Sequence, residues 1–211
     1  MDVRRVGLDI IYGGAKNMSE EKIWQMVSAM TEMAFKVKDG VIRIVDASHV
    51  SMMEIRNVKL KDGPWIIEGK GAKMKPVKFD GLYGHQPAIP KIDSPCKISL
   101  GSTENIAKVL KQMKFAIGDL VTIKSNGKKQ SLEVYIGGDG YGNIVNRIEA
   151  IIPTTNIDGD GSDIRSQYSL NYLIPPFQYL NPTSLEFGPN YPITLKGKNW
   201  TFFLAPRVED W

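Results

Sequence analysis

His49 and His85 are the two histidines of this chain, and Cys96 is its one cysteine. General acid–base and nucleophilic catalysis draw first on these residue types. No Gly-x-Ser-x-Gly, His-Glu-x-x-His or Cys-x-x-Cys spacing surrounds them. Gly138, Gly140 and Gly142 lie between two strand-like runs rather than between a strand and a helix, so they read as a hairpin turn and not as a phosphate cradle. Asn156, Asp158 and Asp160 alternate ahead of Gly161, like the opening of a calcium loop. The position that should supply a bidentate Glu is Gln167, and no helices flank the stretch, so it reads as a solvated acidic turn. A metal-dependent enzyme or calcium module on Asp158, Asp160 and Asp163 is the alternative from a different class. The expectation is a protein with no catalytic residues, no metal and no cofactor.

Binding chemistry has more to offer. Lys108, Lys111 and Lys114 recur every third residue of a helical segment and could track a phosphate backbone; the plainer reading is a solvated face. The outward positions of the first helix, Glu21, Gln25, Ser28 and Glu32, are acidic to neutral. His49 falls in the turn of "VDASHVSMMEI". Near the end, "FFLAPRVEDW" reads as a buried strand, Thr201 to Leu204, that runs into an exposed apolar hook, Ala205-Pro206.

The elements that must position these residues are ordinary. Apolar residues make up 42% of the 211 and charged residues 24%, enough for a packed core. No apolar run approaches the ~18 residues of a membrane span. The first 14 residues lack a secretory pattern and Cys96 has no partner, so a reducing, non-secreted setting is expected, cytoplasmic or nucleoid, or nuclear in a eukaryote. A net charge of +4 permits a nucleic-acid partner without arguing for one. The spacing predicts a strand at 6–12 and a helix from Ala15 or Ser19 to Met33. Strands are expected at 34–38, 41–46 and 51–59, the first two joined by Asp39-Gly40. "WIIEGKGAKMKPVKF" offers one or two edge strands, and "GHQPAIPKIDSP" an extended linker. A strand at 97–100, a helix at 102–115 with Ile106, Leu110, Met113 and Ile117 inward, and strands at 120–124, 131–136 and 143–151 follow. After an acidic loop at 156–163 the plan recurs: a strand at 166–169, a short helix begun by Pro175 or Pro176, and three short strands ending at Leu204.

Three stretches together resemble the archaeal and eukaryotic sliding clamp family, proliferating cell nuclear antigen. They are "GGAKNMSEEKIWQMVSAMTEMAFKVKDGVIRIVDASHVSMMEI", "AIPKIDSPCKISLGSTENIAKVLKQMKFAIGD" and "YLIPPFQYL" with "FGPNYPITLKGKNWTFFLAPRVED". The resemblance implies an α+β DNA-clamp (processivity factor) fold: repeated strand-helix-strands units with helices on one face of curved antiparallel sheets. It divides the chain into a reduced N-terminal half at 1–85 whose second unit is mostly missing, a connector at 86–95 and a C-terminal half at 96–211. It implies a ring, expected to be a homotrimer, round duplex DNA without sequence preference, with polymerases, other clients and a clamp loader as partners and no membrane. The implied client-peptide pocket is Val45, His49, Val50, Ile89, Pro90, Pro192, Phe203, Ala205 and Pro206. The implied DNA-contacting residues are Lys22, Lys108, Lys111 and Lys114. A clamp-like regulator that joins or competes with a full-length clamp, without encircling DNA, is the alternative.

Overall fold

In a computed structural model, the structure describes residues 20–30, 34–68, 73–76, 87–101, 103–116, 119–126, 131–136, 148–154, 156–158 and 164–207. The elements run α1 (Glu20–Met30), β1 (Ala34–Lys38), β2 (Val41–Val45), β3 (Ser51–Ile55), β4 (Gly63–Glu68), β5 (Lys73–Pro76) and β6 (Cys96–Ser99). There follow α2 (Glu104–Ala116), β7 (Leu120–Asn126), β8 (Ser131–Ile136), β9 (Ile148–Pro153), β10 (Asn156–Asp158), β11 (Arg165–Ser169), α3 (Leu170–Tyr179), β12 (Ser184–Phe187), β13 (Ile193–Gly197) and β14 (Trp200–Leu204).

β1 and β2 are joined by Asp39 and Gly40, both at positive φ (52° and 68°), the conformation a two-residue hairpin turn needs. Ile42 and Ile44 alternate inward along β2 while Val41, Arg43 and Val45 are half-exposed. Two antiparallel sheets result. The larger has the order β10-β6-β12-β13-β14-β3-β2-β1-β4-β5, and the smaller β11-β7-β8-β9. The pair β14–β3 joins the early strands to the late ones, with Leu204 opposite Ser51 and Trp200 opposite Ile55. α3 packs against both α1 and α2, and the three helices share one core with the inner sheet faces. Trp24 of α1 stacks on Phe35 with ring centroids 6.1 Å apart. Met26, Val27, Ile106, Leu110 and Met113 fill the helix side of that core.

Several sequence expectations need correction. α3 starts at Leu170, not at a proline; Pro175 and Pro176 lie inside it. The cause is Asp119, whose carbonyl accepts from Leu170 N (2.6 Å) and whose carboxylate accepts from Asn171 N (2.9 Å) and Ser169 Oγ (2.6 Å). The helix start is thus capped from a loop 51 residues upstream of Leu170 rather than by a local residue. Asn156–Asp158, expected in a loop, pairs with β6 as β10, and Ile157 packs against the core. β3 ends at Ile55 rather than Lys59, although Val58 and Leu60 remain buried. Of the one or two edge strands expected in "WIIEGKGAKMKPVKF", two form, but β4 is interior and β5 ends the sheet. The expected strand at 6–12, Ser19, Ile117, Asp160 and Asp163 lie outside the described residues.

Candidate client-docking site

Strand alternation decides which side chains are available. In β14, Phe202 and Leu204 join the core, so Thr201 and Phe203 face the other side of the sheet, away from the helices. The register continues that outer face across four strands: Thr194 of β13 lies opposite Phe203, Phe203 opposite Met52 of β3, and Met52 opposite Val45 of β2. This row is an apolar stripe. The next row is polar, with Lys196 opposite Thr201, Thr201 opposite Glu54 and Glu54 opposite Arg43. Glu54 is buried and holds Arg43 Nε at 2.9 Å and Arg56 Nε at 3.5 Å.

One end of the stripe is closed by the histidine turn. Asp46 is 5% exposed and organises it. Its carboxylate accepts from Ser48 N (2.9 Å), from Ser51 N and from Ser51 Oγ (3.1 Å), and its carbonyl accepts from His49 N (2.9 Å). His49 is held at φ 58° with its side chain exposed. A left-handed conformation costs a non-glycine residue about 1–2 kcal/mol, so the Asp46 network keeps a strained turn in place. Backbone strain of this kind concentrates at ligand-contact sites.

The tail meets that turn directly. Ala205 N donates to the Val50 carbonyl at 2.8 Å, and Arg207 N donates to the Gln167 carbonyl at 2.8 Å. Ala205 is exposed and Pro206 half-buried. Ile193 lies opposite Leu204, which sets Pro192 beside Ala205. The loop carrying Pro192 is pinned from below, where Tyr168 Oη donates to the Tyr191 carbonyl at 2.9 Å. Burial pushes the Tyr168 phenol far above its usual pKa, so it remains a donor.

The connector roofs the other side. Pro90, Lys91, Ile92 and Asp93 line an open cavity of about 430 Å³ with Glu186, Thr194, Lys196, Thr201 and Phe203. Its far end is seated on Gly188, where an added side chain would meet Pro95 at 2.6 Å. Glycine there permits the close approach.

The structure places the residues named from the sequence as follows. The structure brings together His49, Val50, Ala205 and Pro206 at the turn and tail, with Val45, Phe203 and Pro192 adjoining by strand register. Pro90 shares the cavity with Phe203, and Ile89 is half-buried beside it. Sequence reasoning missed Met52, Thr194 and Ile92. Met52 and Thr194 were detectable as the outward positions of their strands. Lys22, Lys108, Lys111 and Lys114 are exposed on α1 and α2, on the face opposite Phe203. Lys114 Nζ donates to Asn171 Oδ1. Lys22 also lines a second cavity of about 560 Å³ between the helix ends, with Thr103, Phe177 and Asn181. Asp158 is exposed on β10, and no group of three metal-ligating side chains occurs among the described residues. No helix among them is long and apolar enough to cross a membrane.

The same architecture occurs in solved sliding clamps. The chain is similar to a structure of the C-terminal region of FEN-1 bound to A. fulgidus PCNA, with a TM-score of 0.64, 19% identity, and 90% of this chain and 96% of that chain covered. It is similar to proliferating cellular nuclear antigen from Entamoeba histolytica, with a TM-score of 0.65, 14% identity and coverage of 89% and 94%. A PCNA2–PCNA3 complex from Sulfolobus tokodaii gives 0.64, 15%, 90% and 96%. No protein-family model matches the chain, and no curated protein matches it by sequence. The chain has the α+β sliding-clamp fold of proliferating cell nuclear antigen.

Proposed function

We propose that this chain is a subunit of a DNA sliding clamp that tethers client proteins, polymerases among them, through a peptide groove on the outer face of its sheet. The observation that carries the reading is the junction of the tail and the histidine turn through Ala205 N and the Val50 carbonyl, beside an apolar stripe roofed by a connector. An apolar groove with a few fixed polar groups suits an aromatic-bearing peptide. A peptide spanning the C-terminal region of FEN-1 is the natural probe, and calorimetry tests the reading: saturable one-to-one binding supports it, and absence of heat or of competition at high peptide concentration contradicts it.

On the helix face, Lys22, Lys108, Lys111 and Lys114 contact phosphates without reading bases, which lets a closed ring slide. The ring, a trimer in this reading and placed on DNA by a clamp loader, closes through terminal strands. Among the described residues, β5 and β9 end their sheets and offer backbone groups for pairing. Phe115, 94% exposed at the end of α2, and Ile151, 60% exposed on β9, supply apolar contacts at the β9 edge. Phe115→Asp is therefore expected to convert the oligomer to monomer and to abolish retention of duplex DNA, whereas the wild type holds DNA in a salt-sensitive way. Sedimentation with and without duplex reads both. An unchanged mass for the variant contradicts this placement of the interface.

A second reading is that the chain joins or competes with a full-length clamp. It is favoured by the number of helices: three among the described residues, where the clamp resemblance implies four strand-helix units. Native mass measured with and without a full-length clamp separates the two.

A further inference from the structure

Thr194 is 2% exposed, and its hydroxyl has no hydrogen-bond partner. A buried hydroxyl left unpaired costs about 1–3 kcal/mol, so its presence in the middle of β13 calls for a reason. The flanking residues Ile193 and Leu195 belong to the core, whereas Thr194 faces the outer side and lines the cavity under the connector. Its cross-strand partners on that face are Phe203 of β14 and Glu186 of β12. Valine would fill the same space at no polar cost and with higher strand preference. Thr201, half-buried in the same cavity, adds a second hydroxyl. Of the charged groups around them, Lys196 Nζ donates to Glu186 Oε1 and Lys97 pairs with Asp93 at 3.6 Å, while Lys91 is exposed on the connector.

The cavity thus offers an aromatic wall, an apolar roof in Pro90 and Ile92, and one buried neutral hydroxyl in want of a partner. Its volume of about 430 Å³ falls within the roughly 300–1,000 Å³ of small-ligand sites. The complementary guest has a flat apolar body and a single neutral polar tip, which among side chains describes tyrosine. A carboxylate or ammonium would lose hydration beside Lys196 and Glu186, which already pair with each other. Rotation of Thr194 about χ1 between staggered positions exchanges its hydroxyl and methyl, so the hydroxyl can turn toward the guest.

We propose that Thr194 is a specificity-determining residue of the docking groove, which makes the cavity under the connector select a tyrosine over a phenylalanine in the bound peptide. This inference rests on the client-docking reading of the groove. The phenol body lies against Phe203, and its hydroxyl exchanges a hydrogen bond with Thr194 Oγ1. A phenylalanine in its place leaves Thr194 unpaired, as in the free protein, and forgoes that hydrogen bond.

The test is a four-way comparison by calorimetry: wild type and Thr194→Val, each with two peptides that differ only in Tyr or Phe at the aromatic anchor. The expected result is that wild type binds the Tyr peptide about five- to tenfold more tightly, and that Thr194→Val abolishes the preference by weakening the Tyr peptide. Equal affinities in wild type, or a preference unchanged in the variant, overturn the selectivity and leave the docking groove standing. Failure of both peptides to bind wild type overturns the groove reading along with it. Thr194→Ser, which keeps the hydroxyl, should retain the preference; its loss there also contradicts the proposal.

Discussion

Phe203→Ala should weaken binding of the FEN-1 peptide about 30-fold or more, with the stoichiometry of any remaining binding unchanged. Phe203 sits at the centre of the outer apolar stripe, between Thr194 and Met52 and under the connector, with 8% of its surface exposed. Central, desolvated aromatics are the residues whose truncation costs a peptide interface about 2 kcal/mol or more. Truncation also removes packing beneath Ile92 and Pro90, so melting must be followed alongside affinity. Pro206→Ala provides the control, because Pro206 lies beyond β14 with its ring half-exposed. It should lower affinity without lowering the melting temperature. Equal affinities for wild type and both variants remove the groove from the account.

The second large effect belongs to Asp46. Asp46→Ala should destabilise the protein by about 3 kcal/mol and weaken peptide binding at the same time. The carboxylate is buried and accepts from three donors of the turn; without it the Ser51 backbone N–H and hydroxyl lose a charged partner. Hydrogen bonds to a charged group contribute about 1.5–3 kcal/mol each, and a stranded donor adds its desolvation cost. The turn then relaxes out of its positive-φ geometry at His49 and shifts the Val50 carbonyl that receives Ala205 N. Chemical denaturation measures the stability change. His49→Gly separates the causes: glycine accepts the left-handed backbone without strain, so that variant should keep or raise stability. A stable Asp46→Ala protein with wild-type affinity contradicts the role assigned to this network.

Much of the scaffold was legible because local chemistry agreed with the fold. Asp39-Gly40 demanded a tight hairpin between the strands either side of it, and the stripe Ile106, Leu110, Met113 fixed the inward side of α2. α3 was misplaced because the group that caps it, Asp119, is distant in sequence, while its internal prolines pointed to a later start. β10 is three residues long with polar ends, and only its pairing with β6 makes it a strand. The pocket residues His49, Phe203, Ala205 and Pro206 came from the clamp resemblance. Composition alone could not bring positions 50 and 205 together. Met52 and Thr194 were passed over for a physical reason. They stand on the outer side of their strands, and over Thr194 that side is crossed by a connector without periodicity.

The most direct test of the central claim is amide chemical-shift mapping of the isotopically labelled protein during titration with the FEN-1 peptide. Peptide docked between the tail and the histidine turn predicts the largest changes at Val50, Met52, Thr194, Phe203 and Ala205, with Lys108 and Lys111 on the helix face unmoved. Saturable changes confined to α1 and α2, with Val50 and Ala205 unaltered, would contradict it.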